Sequence, residues 1–170
     1  AGRLGLLADV QAAMHTHGGC AELQSLACIA IACIVNSSAD NRAEAGRLDI
    51  LGEVQAAMRA HPDFETLQQV ACGTITFVAL YNDCAGIKAR ASALLLDIRT
   101  AMQRHARGSI VQEKACDAIR CMIGSGVASA AEAGRLGLLS DLQAAMRAHS
   151  ASVIVQVSCC QAIASITSDK

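Results

Sequence analysis

Histidine, cysteine and acidic side chains are the residues in this sequence with chemistry to offer, and each recurs at a fixed step. His17, His61, His105 and His149 stand 44 residues apart, as do Cys28, Cys72, Cys116 and Cys160, and the acids Asp9, Glu53, Asp97 and Asp141. Converging imidazoles could hold zinc or pass protons, converging thiols could ligate a metal or oxidise, and paired carboxylates could serve as general acid and base. Whether they converge depends on the elements that carry them.

The same step governs Met14/Met58/Met102/Met146 and Gln24/Gln68/Gln112/Gln156, and Ala-Gly-Arg-Leu opens at Ala1, Ala45 and Ala133, with a degenerate Ala-Arg-Ala-Ser at Ala89. A period of this size is the signature of a stacked array of helical units. Equivalent residues on stacked helices lie about 8–10 Å apart. Zinc bonds are roughly 2 Å long, so the four histidines cannot share one ion. A disulfide needs Cα atoms within roughly 7 Å, so the phased cysteines are expected to be reduced, small and buried. Each histidine falls on the apolar stripe beside its methionine at a helix end, where it can cap carbonyls. In most units an arginine three to six residues away offers the acid a local charge partner.

The remaining chemistry also fails on spacing. Cys28 and Cys33, like Cys116 and Cys121, are five residues apart and diverge by about 140° around a helix, and the neighbours Cys159 and Cys160 diverge too. Cys20 and Cys84 fall in or near connecting segments, where a reactive thiol could sit. No phosphate loop, nucleophile elbow, His-Glu metal pair or catalytic carboxylate pair occurs. The reading is of a chain that is not an enzyme, with no catalytic residues, no metal site and no cofactor.

Composition narrows the class further. Of 170 residues, 53% are hydrophobic but only 2% aromatic, and there is one proline, Pro62; this favours close-packed helices over a sheet. With 14 Lys plus Arg against 15 Asp plus Glu there is no electrostatic footprint for nucleic acid. No apolar stretch approaches the roughly 20 residues that span a bilayer, so no membrane insertion is expected. Reduced cysteines place the chain in an intracellular compartment, the cytoplasm first and the nucleus as the alternative.

Within one unit, Leu7/Leu51/Leu95/Leu139, Val10/Val54/Ile98/Leu142 and the methionine form one helical stripe. The varying positions, such as Gly5/Asp49/Ala93/Gly137 and His15/Arg59/Gln103/Arg147, are read as a free outer face. A second helix carries Leu23/Leu67/Val111/Val155, the phased cysteines and Ile31/Ile75/Ile119/Ile163. The segments 37–44, 81–88 and 125–132 read as either a loop or a short third helix. One domain over 1–170 follows, with units 1–44, 45–88, 89–132 and 133–170. Its first and last units carry the same apolar stripes as the inner ones, which points to a fragment of a longer array or to ends covered by a partner or another copy.

The segment Gln24-Ser-Leu-Ala-Cys28-Ile-Ala-Ile31, with its copies at Gln68–Ile75 and Gln112–Ile119, resembles the last helix of an armadillo repeat, and Ala-Met-Arg-Ala-His ending at His61 and His149 resembles the end of the helix before it. The resemblance covers the whole chain and implies an all-α, right-handed α-solenoid of four armadillo-like repeats, with two-helix HEAT packing as the neighbouring alternative. It also implies a protein-binding scaffold. Peptide-binding members use an asparagine on the last helix; the matching positions are Cys33, Phe77, Cys121 and Ser165, so a groove-binding role in general is what carries over. The rival readings are a non-catalytic spacer in a larger assembly and a HEAT-type repeat enzyme.

A partner surface can be named from the residues that vary. On the second helix, Ser25/Gln69/Glu113/Val157, Ile29/Gly73/Asp117/Gln161 and Ala32/Thr76/Arg120/Ala164 follow offsets of 4 and 3, one stripe distinct from the core. Stacking aligns such stripes into a concave surface. Gln69, Thr76, Phe77, Glu113, Asp117, Arg120 and Cys121 are assigned to it, with Phe77 as an apolar anchor for a protein partner.

Overall fold

The structure is a computed structural model that describes residues 5–81 and 85–168. Every element among the described residues is an α-helix. The first helices of the units are α1 (Leu6–Thr16), α4 (Ile50–Ala60) and α9 (Leu138–Ala148); the second helices are α2 (Ala21–Ser37), α5 (Glu65–Tyr81), α7 (Ser109–Gly124) and α10 (Val153–Thr167). Short third helices, α3 (Ala39–Arg47) and α8 (Ala130–Arg135), resolve the loop-or-helix alternative in two units. In the remaining case α6 runs from Ala85 to Arg104 without a break. Cys84 lies outside the described residues.

One backbone position explains α6. Gly5, Asp49 and Gly137, the residues that precede α1, α4 and α9, adopt left-handed φ of 65°, 53° and 77°. At Asp49 and Gly137 that conformation turns the chain out of the short third helix and into the next. Their counterpart is Ala93, whose Cβ makes the left-handed region cost about 1–2 kcal/mol, so the helix continues through it. Arg90 replaces the glycine of the Ala-Gly-Arg-Leu motif, and its guanidinium reaches back to Asp49 and to Gln55 Oε1 at 3.3 Å. The degenerate copy of the motif therefore marks a fused helix tied to the preceding unit.

The second helices pack in succession, α2 on α5, α5 on α7 and α7 on α10, and the first helices follow suit, α1 on α4, α4 on α6 and α6 on α9. A single apolar cluster runs from Leu7 to Ile166. Leu51, Val54, Ile98, Leu67, Ile75 and Ile119 are buried in it as the stripes require. Each such side chain stabilises by roughly 1.5–3 kcal/mol on leaving water. Thr74 is buried where its counterparts are alanine, and its hydroxyl donates across the interface to the Cys28 carbonyl at 2.8 Å. This fixes which side of a second helix faces the preceding unit.

Three expectations need correction. Cys28, Cys72 and Cys116 are fully buried, but Cys160 is exposed because no helix packs on that side of α10. The histidines are half-buried or exposed rather than part of the core stripe. The face carrying His15, Arg59 and Gln103 is not free: these residues bridge to the next unit's acid.

Candidate functional site

The phased polar residues form two ladders between and within units. In every unit the glutamine amide donates to the last carbonyls of the first helix. Gln68 Nε2 reaches the carbonyls of Met58 at 2.9 Å and His61 at 3.0 Å, and Gln24, Gln112 and Gln156 repeat the pair. The end of a helix leaves carbonyls without an intrahelical partner, and the glutamine supplies one from the second helix; the histidine carbonyl also accepts from the turn, in the second unit from Phe64 N–H at 3.2 Å. His61, His105 and His149 then turn to the preceding unit. Nε2 of His61 lies 2.7 Å from the Gly18 carbonyl, that of His105 2.9 Å from Pro62, and that of His149 2.9 Å from Ala106. A carbonyl only accepts, so Nε2 carries the proton. The imidazoles do cap carbonyls, but those of the previous unit's turn.

The acids belong to the second ladder, and their partners are not local. Glu53 accepts from Gln11 at 3.0 Å and lies 3.1 Å from His15 Nε2. Asp97 accepts from Gln55 at 2.6 Å and Arg59 at 3.0 Å, and Asp141 from Arg99 at 2.7 Å and Gln103 at 2.8 Å. Every donor comes from the preceding unit, where stacking brings positions 38 or 42 residues apart into contact. These groups join each unit to the next. Among the described residues no three His, Cys, Asp or Glu side chains are grouped as a metal site requires. A cleft of about 240 Å³ lies against α4 and α6, lined by Met58, Pro62, Thr100 and the Arg59–Asp97 pair, small beside the roughly 300–1,000 Å³ of ligand pockets.

The thiols are poor nucleophiles where they are buried. Burial pushes Cys28 and Cys72 up to about 12. Cys116 is raised by its hydrogen bond with Cys159, 3.5 Å away between the sulfurs, and by burial. This pair was not visible from the repeat phase, because Cys159 is displaced one residue from the counterpart of Cys116.

On the variable stripe, Gln69, Thr76, Glu113, Asp117 and Arg120 are half-buried and Phe77 is 38% exposed. The Thr76 hydroxyl donates within α5 to the Cys72 carbonyl at 3.0 Å, and Lys114 Nζ pairs with Glu113 at 2.8 Å. Burial raises the Asp117 carboxyl above the usual carboxylate range, against the pull of Arg120 and Lys114. Arg120 Nε is buried with no hydrogen-bond partner. Cys121 departs from its assignment: it is only 2% exposed. It stands three residues beyond the fully buried Ala118, the counterpart of Thr74, and so on the side of α7 turned to α5. Phe77, its counterpart, is large enough to protrude from the same kind of position.

No helix among the described residues is long and apolar enough to cross a membrane. No family model, curated protein or solved structure matches the chain.

Proposed function

We propose that this chain is a right-handed, armadillo-like solenoid of four units of about 44 residues that acts as a protein-binding scaffold, holding its partner along the variable stripe of α5 and α7. Successive packing of the second helices, α2 on α5, α5 on α7 and α7 on α10, supports the stacking. The observation that carries the binding role is Arg120. Its Nε–H is buried and unpaired among the described residues, beside a carboxyl whose burial has lifted its pKa. A buried donor left without an acceptor costs about 1–3 kcal/mol, and a bound protein that draws the guanidinium outward would offer it a carbonyl or carboxylate. Gln69, Thr76, Phe77, Glu113 and Asp117 supply the surrounding polar and apolar contacts, and Cys121 backs the surface from within.

The test is affinity capture with the purified chain followed by hydrogen–deuterium exchange on the isolated complex. Protection gained on α5 and α7 around Gln69–Phe77 and Glu113–Arg120 is the expected result. Protection confined to the first helices or the α4–α6 cleft would overturn the assignment of the face.

A further inference from the structure

One cysteine stands out of phase with the repeat, and it stands opposite another thiol. Position 159 holds cysteine where the other three units hold Ala27, Ala71 and Ala115, all of them buried. Its place on α10 is fixed by Ala162, three residues on and so on the same side of the helix. Ala162 is the counterpart of Thr74, whose hydroxyl reaches the Cys28 carbonyl of the preceding unit. Cys159 therefore faces across the boundary between the third and fourth units, and its sulfur lies 3.5 Å from that of Cys116 on α7. At the two earlier boundaries an alanine takes this place, and among the described residues no other two thiols are hydrogen-bonded to each other.

The pair has the geometry and the asymmetry that oxidation to a disulfide needs. A disulfide bond is about 2.05 Å long, and rotation of the two side chains about χ1 closes the remaining gap of about 1.5 Å. The two thiols also divide the labour. With Cys116 as donor, their hydrogen bond lowers Cys159 below the ordinary thiol value against the opposing effect of burial, while Cys116 is raised. Cys159 is thus the partner that reaches the thiolate, the nucleophilic form, and Cys116 holds its proton. Both sulfurs are buried, at 0% exposure, which keeps out large oxidants; hydrogen peroxide is little larger than water and enters through the local openings that packed helices undergo.

We infer that Cys116 and Cys159 are a redox-operated staple, closed by hydrogen peroxide and opened by a thiol reductant, that locks the third unit to the fourth. The Cys159 thiolate attacks one peroxide oxygen; the O–O bond breaks, Cys159 becomes a sulfenic acid and the departing hydroxide is protonated to water. The Cys116 sulfur then attacks the Cys159 sulfur. The S–S bond forms as the S–O bond breaks, and the hydroxyl leaves with the Cys116 proton as a second water. Two thiols and one peroxide thus give one disulfide and two waters, and exchange with a dithiol restores both thiols. The bond joins residues 43 positions apart, so it removes conformations from the unfolded chain and stabilises the folded one.

The test is a brief treatment of the dilute, folded chain with hydrogen peroxide, followed by iodoacetamide in denaturant, mass spectrometry of a non-reduced digest, and the melting temperature of the treated protein. Cys159→Ala is the control: it installs the alanine that the other three units carry, and circular dichroism checks that it keeps its helices. The wild type is expected to yield two peptides joined through Cys116 and Cys159, lighter by two hydrogen atoms and separated again by dithiothreitol. Its melting temperature should rise on treatment by about 5 °C or more relative to that of Cys159→Ala treated in the same way, and fall back on reduction. Sulfinic or sulfonic acid at Cys159 in place of the link would overturn the proposal. So would links from either thiol to Cys20, Cys33 or Cys160 instead, a link that forms only in the unfolded chain, or a link that leaves the melting temperature unchanged.

Discussion

The residues repeated in every unit are fasteners. Gln68 is only 2% exposed and its amide donates to two carbonyls at the end of the first helix. Gln68→Ala is expected to cost about 1–3 kcal/mol in urea denaturation, and Gln156→Ala, at a half-buried site, less; equal and negligible losses would contradict the role. The thiols give an independent check. In a brief iodoacetamide pulse on the folded chain followed by peptide mass spectrometry, Cys20, Cys33 and Cys160 should label, while Cys28 and Cys72, pushed up to about 12 by burial, should not. The identity of these positions was plain in the sequence. Their partners were not, because the bonds of His61 and Asp97 join residues 38 to 43 positions apart and exist only once the stacking register is set. A local search could find only the wrong arginine.

At the scale of the element, the apolar stripes of both helices were legible because burial follows the 3.6-residue period, and Leu51, Val54, Leu67 and Ile75 lie where it puts them. The fused α6 was also written in the sequence, in the alanine that stands for Gly5 and Gly137, but it takes the backbone to show that this position turns left-handed. Cys121 shows the limit of reading exposure from variability: a position can change type between units while remaining turned to a neighbouring helix. Gly137→Ala forces a Cβ into φ 77° and should destabilise by about 1–2 kcal/mol. Ala93→Gly, which already sits in a continuous helix, should cost about 1 kcal/mol through propensity alone. Chemical denaturation of the two variants measures both, and a harmless Gly137→Ala would refute the account of how the units turn.

Across the whole molecule, the residues that hold units together are distinct from those we propose to meet a partner. The fasteners lie at the carbonyl ends of the first helices and along their flanks, whereas Glu113, Asp117 and Arg120 lie on α7 away from those ladders. Reversing their charges should therefore leave stacking intact. The most direct test is the triple variant Glu113→Arg, Asp117→Arg, Arg120→Glu, measured for its dissociation constant with a protein captured by the wild type and, on the same sample, for its melting temperature. Affinity is expected to fall at least tenfold, about 1.4 kcal/mol, while the melting temperature stays close to that of the wild type. Undiminished affinity in a variant that remains folded would contradict it.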